Sequence, residues 1–269
     1  MLKLFKKIKL NNQLKKNTVF LWDSANNDFI KVNDFKSMPL DLLTGIDSQK
    51  KTLDNNTLNF AKGYVSNSAL LWGSRGNGKS SLIKSIFFKY SKIFKDLKLI
   101  QVKKEDITKI NSLYTILRNY KFYRFILFID DLSFEKIDNE YKILKSSLEG
   151  SIINQPNNIV IYVTSNRRHL MSKDMIDNER SSAIHTDENI EEKISLSDRF
   201  GLWLGFHSLN QNDYIVMIKK YCDHFNIRCS EIDLKKSLEW SLIRGNRTGR
   251  TAWQFIIKLA SEKNIKLDF

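Results

Sequence analysis

"SALLWGSRGNGKSSLIK", residues 68–84, decides the fold. "SALLW" is a short apolar run of strand type. Residues 73–80, "GSRGNGKS", then read G-x-x-x-x-G-K-[ST], and the apolar residues beyond recur at helical spacing. A glycine-rich loop between a strand and a helix is the context in which this pattern cradles phosphates. Gly73, Gly76 and Gly78 let the chain turn tightly and aim N–H groups at phosphate oxygens, with Ser74, Arg75 and Asn77 completing the loop. Lys79 would reach the β- and γ-phosphates of a nucleotide, and the Ser80 hydroxyl, with Ser81 behind it, would lie at a Mg²⁺. The helix opening at Lys79 adds its positive end.

On both sides of this stretch, strand-like and helix-like segments alternate. "LKLIQV", "YRFILFID", "NIVIYVTSN" and "LWLGFH" read as strands, and "ITKINSLYTILRNY" and "YKILKSSLEG" as intervening helices. Continuous apolar strands between helices imply a parallel sheet covered on both faces. A helix is expected from about Asp47, and a mobile loop with a short helix over 171–195. From Asn210 onward the pattern is helical only, which predicts a small lid. Residues 17–40 hold "TVFLW" and "DFIKV" around "DSANN", a hairpin pattern. The boundaries are an N-terminal basic arm with hairpin at 1–37, an α/β core at 38–208 and a helical lid at 209–269.

Two strand ends carry chemistry. "FILFIDD" ends in paired carboxylates beside the loop. Asp130 is the Mg²⁺ candidate and Asp131 the candidate to polarise an attacking water, with Glu135 in reserve; the second carboxylate could instead cap a helix. "NIVIYVTSNRRHL" ends in Thr164, Ser165 and Asn166. Asn166 is the choice for contacting the γ-phosphate or the water, and Asn is equally usual as a helix N-cap. Arg199 precedes the last strand and could reach the γ-phosphate of a neighbouring subunit, or pair with Asp198. Arg250, ahead of Arg247, could fold from the lid over a nucleotide in the same chain.

These parts, in this order, resemble an AAA+ ATPase from about Met38 to the C-terminus. More narrowly, "LLTGIDSQKKTLDNNTLNFAKG", "ALLWGSRGNGKSSLIK", "FIDDLSFE", "TSNRRHL", "EEKISLSDRFGLW" and "GRTAWQF" are similar to a bacterial AAA+ family labelled domain of unknown function 815. The resemblance implies a five-stranded parallel sheet of order 5-1-4-3-2 with helices on both faces and a C-terminal helical lid. It implies ATP and Mg²⁺ as ligands, with adenine packing near Ile46. By the same carry-over Asn166 resembles the sensor-1 residue, Arg199 an arginine finger acting in trans and Arg250 the sensor-2 arginine. A finger in trans implies a homo-oligomer. The Asp-Asp pair departs from the commoner Asp-Glu, but the narrower family shares "DDLSFE". Families differ in where the finger sits, and Arg167, Arg168 and Arg180 stay open for that role.

The net charge of +14 over 269 residues suits an anionic partner, nucleic acid or an acidic membrane surface. Abundant Lys, Asn and Ile with two Pro also fit an AT-rich genome and a solvated basic surface. Residues 1–16 carry six Lys and no acid, which reads as a loosely docked tail or a basic amphipathic helix. Two cysteines and no signal or membrane-spanning run imply a reducing, cytoplasmic setting. Cys222, His224 and Cys229 are too few for a zinc site. Trp72, Trp203, Trp240 and Trp253 read as core. The work coupled to ATP is left open between remodelling of a protein partner, a nucleic-acid motor or loader, and a switch with negligible hydrolysis.

Overall fold

The computed structural model describes residues 2–135, 137–149, 155–170 and 196–267. A seven-stranded sheet has the order β2-β1-β4-β5-β6-β3-β7. The strands are β1 Val19–Asp23, β2 Asp28–Lys31, β3 Ala69–Gly73, β4 Leu97–Gln101, β5 Arg124–Ile129, β6 Ile159–Ser165 and β7 Leu202–Phe206. Counting from β3, the five core strands run 2-3-4-1-5 and every pair is parallel, which is the expected order read from the other edge.

The side-chain alternation of a strand explains why both faces are covered. Phe125, Leu127 and Ile129 of β5 point into one apolar cluster, and Ile126 and Phe128 into the other. In β6, Ile159, Ile161 and Val163 face the first, and Val160 and Tyr162 the second. Helices α2 (Asp47–Ala61) and α3 (Lys79–Ser91) close the second face through Leu53, Phe60, Leu82 and Phe87. Helices α4 (Ile110–Leu117) and α5 (Asn139–Glu149) close the first through Ile110, Leu113, Tyr141 and Leu144.

The hairpin expected at 17–40 forms as β1 and β2 and joins this sheet. β1 lies parallel to β4, with Val19 opposite Leu99, and covers an edge that β4 would otherwise expose. Helix α1 (Leu2–Lys16) differs from the expected loose tail. Leu10 and Leu14 are buried in the first cluster with Phe20 and Phe29, and Gln13 donates to the Phe29 carbonyl. The expected loop over 171–195 lies outside the described residues.

Three helices make the lid: α6 Gln211–His224, α7 Glu231–Ile243 and α8 Gly249–Glu262. Each starts at a residue whose side chain accepts a first-turn N–H: Asn210, Ser230 and Thr248. At Ser230 the capping box is complete, because Asp233 accepts the Ser230 N–H in return. The lid has its own core of Tyr214, Ile218, Leu234, Phe255 and Leu259. Trp72, Trp203, Trp240 and Trp253 are only half-buried, unlike the fully buried Trp22.

Candidate nucleotide site

In a parallel sheet the C-terminal ends of all strands share one edge, so Gly73, Asp130 and Asn166 end up side by side. A cavity of about 600 Å³ lies between that edge, residues 38–46 and the lid. Ile46, Arg75, Gly76, Asn77, Gly78, Lys79, Ser80 and Ser81 line it from one side. Asp130, Asp131, Thr164 and Asn166 line it from the sheet, and Arg250 from the lid. The sequence singled out all of these as site residues except Thr164.

Gly73 and Gly76 are glycines for reasons that the fold supplies. A Cβ on Gly73 would meet the Phe206 carbonyl oxygen of β7 at 2.0 Å, and φ is +129°. A Cβ on Gly76, at φ +80°, would lie 2.9 Å from the Arg250 Cβ. Gly76 is where loop and lid meet, since the Arg250 N–H donates to the Gly76 carbonyl at 3.0 Å. Gly78, at φ +86°, is the N-cap of α3 and supplies no side-chain acceptor, and the first turn carries no acid. The N-terminal N–H groups of that helix therefore face the cavity as anion donors.

Lys79 is 7% exposed, and its ammonium donates to the Gly73 and Ser74 carbonyls at 2.7 and 2.8 Å and to Asn166 Oδ1 at 3.1 Å. Burial pushes its pKa down to about 8; the Asp131 and Asp130 carboxylates oppose that shift, and the Arg250 and Arg75 charges add to it. Both polar atoms of the Asn77 amide are buried with no hydrogen-bond partner among the described residues. An unpaired buried polar group costs about 1–3 kcal/mol, so an amide left open in a phosphate loop fits a polar ligand.

The carboxylates are held by three neighbours. Ser80 and Thr164 hydroxyls both donate to Asp130 Oδ1, each at 2.6 Å. Thr164 Oγ1 also accepts the Asp131 N–H at 2.9 Å. The Asn166 amide nitrogen donates to Asp131 Oδ1. Asp131 has φ +51°, which is uncommon for a residue with a Cβ. A hydroxyl and a carboxylate in contact, both hard oxygen donors, suit Mg²⁺. Glu135 is exposed and does not line the cavity.

The arginines divide. Arg250 lines the cavity; Arg247 lies away from it beside Leu209 and Ser241. Arg199 precedes β7 and so lies toward the opposite edge of the sheet from this cavity. Arg167 donates to the Phe134 carbonyl at 3.0 Å, and Arg168 lies over the Trp72 and Trp203 rings. Arg180 is outside the described residues. The sequence reading missed the far wall of the cavity: Met38, Leu43, Met217, Tyr221 and Trp253. Met217 and Tyr221, four residues apart on α6, signal only a packed helix face, and the docking of the lid against the core brings them, with Trp253, to the cavity.

Several solved structures share this architecture. A Thermotoga maritima RuvB variant matches with a TM-score of 0.54 at 20% identity, over 87% of this chain and 74% of that one. A chain of the E. coli MS115-1 HORMA:CdnC:Trip13 complex matches at 0.53 and 11%, over 81% and 90%. The replication initiator DnaA matches at 0.52 and 17%, over 80% of this chain and 61% of that one. At these identities the likeness shows the AAA+ fold alone. No curated protein matches the sequence. The model of the family described as Protein of unknown function (DUF815) covers residues 15–263, and the chain belongs to that family, on an AAA+ fold with a C-terminal helical lid.

Proposed function

We propose that this chain is an ATPase that binds Mg-ATP between the phosphate loop and the lid, hydrolyses it, and couples the cycle to remodelling of a partner macromolecule. One observation carries the reading. Lys79, the Ser80–Asp130 pair and the Asn166–Asp131 pair converge on one cavity under Arg250. The same fold in DnaA has been solved with AMPPCP and single-stranded DNA bound, which supports a nucleotide of that class as ligand.

Each group has a role set by its chemistry. Lys79 places a buried positive charge beside the loop, where it stabilises phosphate oxygens. Ser80 and Asp130 would hold Mg²⁺, which when bound neutralises charge developing on the phosphates. Asp131 orients and polarises the attacking water, and Asn166 fixes the Asp131 carboxylate while touching Lys79. Ile46, with Trp253 and Tyr221 across the cavity, offers apolar surface to a purine ring. Arg250 brings lid charge to the phosphates from the same chain. Arg199, far from its own cavity, acts in a neighbour's, so the active form is a homo-oligomer.

The test is steady-state phosphate release from purified protein with Mg-ATP, beside Lys79→Ala and Asp131→Asn, with and without added DNA. Turnover abolished in both variants supports the reading. Wild-type protein that binds ATP but releases no phosphate under any condition leaves a nucleotide-dependent switch instead.

A further inference from the structure

The edge of the sheet opposite the nucleotide cavity, where β3, β4 and β5 begin, carries a second feature. Three short connections reach it: residues 62–68, 92–96 and 118–123. Arg124 ties them together. Its guanidinium donates to the Gly63 carbonyl at 2.9 Å and the Asn157 carbonyl at 3.1 Å, and its backbone N–H to the Asp96 carbonyl at 3.0 Å.

Each connection presents an apolar tip to solvent. Tyr64 is 65% exposed, Val65 78%, Ile93 66% and Phe122 91%. Single exposed apolar residues are ordinary, but four on three loops held side by side form a patch. Each tip also sits beside exposed lysine: Lys62 before Tyr64, Lys92 and Lys95 around Ile93, Lys121 before Phe122. Lys15 and Lys16, at the end of α1, lie exposed toward this edge too, because Lys98 donates to the adjoining Asn17 carbonyl at 3.0 Å. Asp96 is the one exposed acid within the three connections.

From this juxtaposition of apolar loop tips and flanking lysines, we propose that the strand-start edge is a docking face for an anionic lipid bilayer. The chemistry separates a bilayer from nucleic acid. Lysines suit either polyanion, but exposed Val65 and Ile93 have no ring to stack on a base, whereas aliphatic and aromatic tips enter the headgroup boundary. Lysine near an anionic leaflet contributes attraction that fades within a Debye length, so both groups must lie in one plane at the surface. Binding is peripheral, since no helix among the described residues is long and apolar enough to cross a membrane. Because the nucleotide cavity lies at the C-terminal ends of the same parallel strands, it then faces away from the lipid.

The test is flotation of the full chain with vesicles of phosphatidylcholine alone and of phosphatidylcholine mixed with phosphatidylserine. Two combined variants run alongside: Val65→Ala with Ile93→Ala and Phe122→Ala, and Lys62→Glu with Lys92→Glu and Lys121→Glu. All six positions are exposed, and an unchanged melting temperature checks that the variants fold. The expected result is wild-type binding to the phosphatidylserine vesicles only, weakened at least tenfold in both variants and released by salt. Absence of wild-type binding overturns the proposal, as does binding that the apolar variant keeps, which would place the attraction elsewhere on the basic surface. Binding of a single-stranded oligonucleotide lost in the lysine variant, with no vesicle binding, overturns it in favour of nucleic acid.

Discussion

Asp131 stands at a left-handed backbone position, and its neighbours explain how it stays there. The Thr164 hydroxyl accepts its N–H, and Asn166 donates to its carboxylate. Asp131→Asn keeps size and backbone but removes the charge that would polarise water. It is expected to bind ATP normally and to lower phosphate release by roughly 10²–10⁴-fold, the range of a lost general base. Gly76→Ala tests the junction of loop and lid. The new Cβ would sit 2.9 Å from the Arg250 Cβ at φ +80°, so weaker ATP binding is expected, by ~1–2 kcal/mol in a calorimetric titration. At this scale much was legible in the sequence, because Lys79, Ser80, Asp130, Asp131 and Asn166 sit at motif positions or at polar ends of apolar strands. Thr164 was passed over as a site residue because its role exists only once β5 and β6 pair in register, with Ile129 opposite Val163. Trp253 and Tyr221 were passed over because lid docking, not local pattern, brings them to the cavity.

At the scale of elements, the helix at the N-terminus and the capped helix of the lid make the clearest cases. Leu14 is fully buried between α1 and the sheet, so Leu14→Ala is expected to destabilise the protein by about 2–4 kcal/mol in denaturant unfolding. A loosely docked tail would show almost no change. The lysine-rich sequence around Leu14 hid this, since a single apolar stripe under six lysines looks like a solvated helix until β1 and β2 supply the surface beneath it. In α7, Asp233 combines the capping box with a salt bridge to Lys263 at 2.8 Å. Burial pushes the Asp233 carboxyl up, but hydrogen bonds from Lys263 and Ser230 outweigh it and hold its pKa at about 2. A carboxyl depressed in the folded state adds stability that is full above its unfolded pKa of about 3.9 and is lost as pH falls through the folded value. The melting-temperature gap between wild type and Asp233→Asn is therefore expected to hold from pH 7 down to about pH 4 and to shrink below it. A gap that grows on acidification contradicts the assignment.

The whole molecule separates the nucleotide cavity from the strand-start edge across the sheet, and the common direction of the core strands is what does so. Parallel pairing sends Gly73, Asp130 and Asn166 to one edge and Arg199 toward the other. Under the proposed function, that separation is why Arg199 is assigned to a neighbouring subunit's cavity rather than its own. If Arg199 acts on a neighbour, Asp131→Asn and Arg199→Ala proteins should each be inactive, yet regain measurable phosphate release when mixed. The mixture creates interfaces in which an intact Asp131 faces an intact Arg199. No recovery on mixing would remove Arg199 from the role. A parallel sheet and a helical lid were legible from the alternation of apolar strands and helices, and the strand order only from the family resemblance. The extension of the sheet by β1 and β2 was not, because a hairpin pattern does not state which edge it will join.

The claim on which the rest depends is that the cavity under the lid is an ATP site. Calorimetric titration of Mg-ATP into wild-type protein and into Lys79→Ala tests it most directly. The expected result is one site per chain in wild type and affinity at least 100-fold weaker in the variant, which loses a buried charge aimed at the phosphates. Wild-type protein with no heat of binding, or a variant that binds equally well, would contradict it.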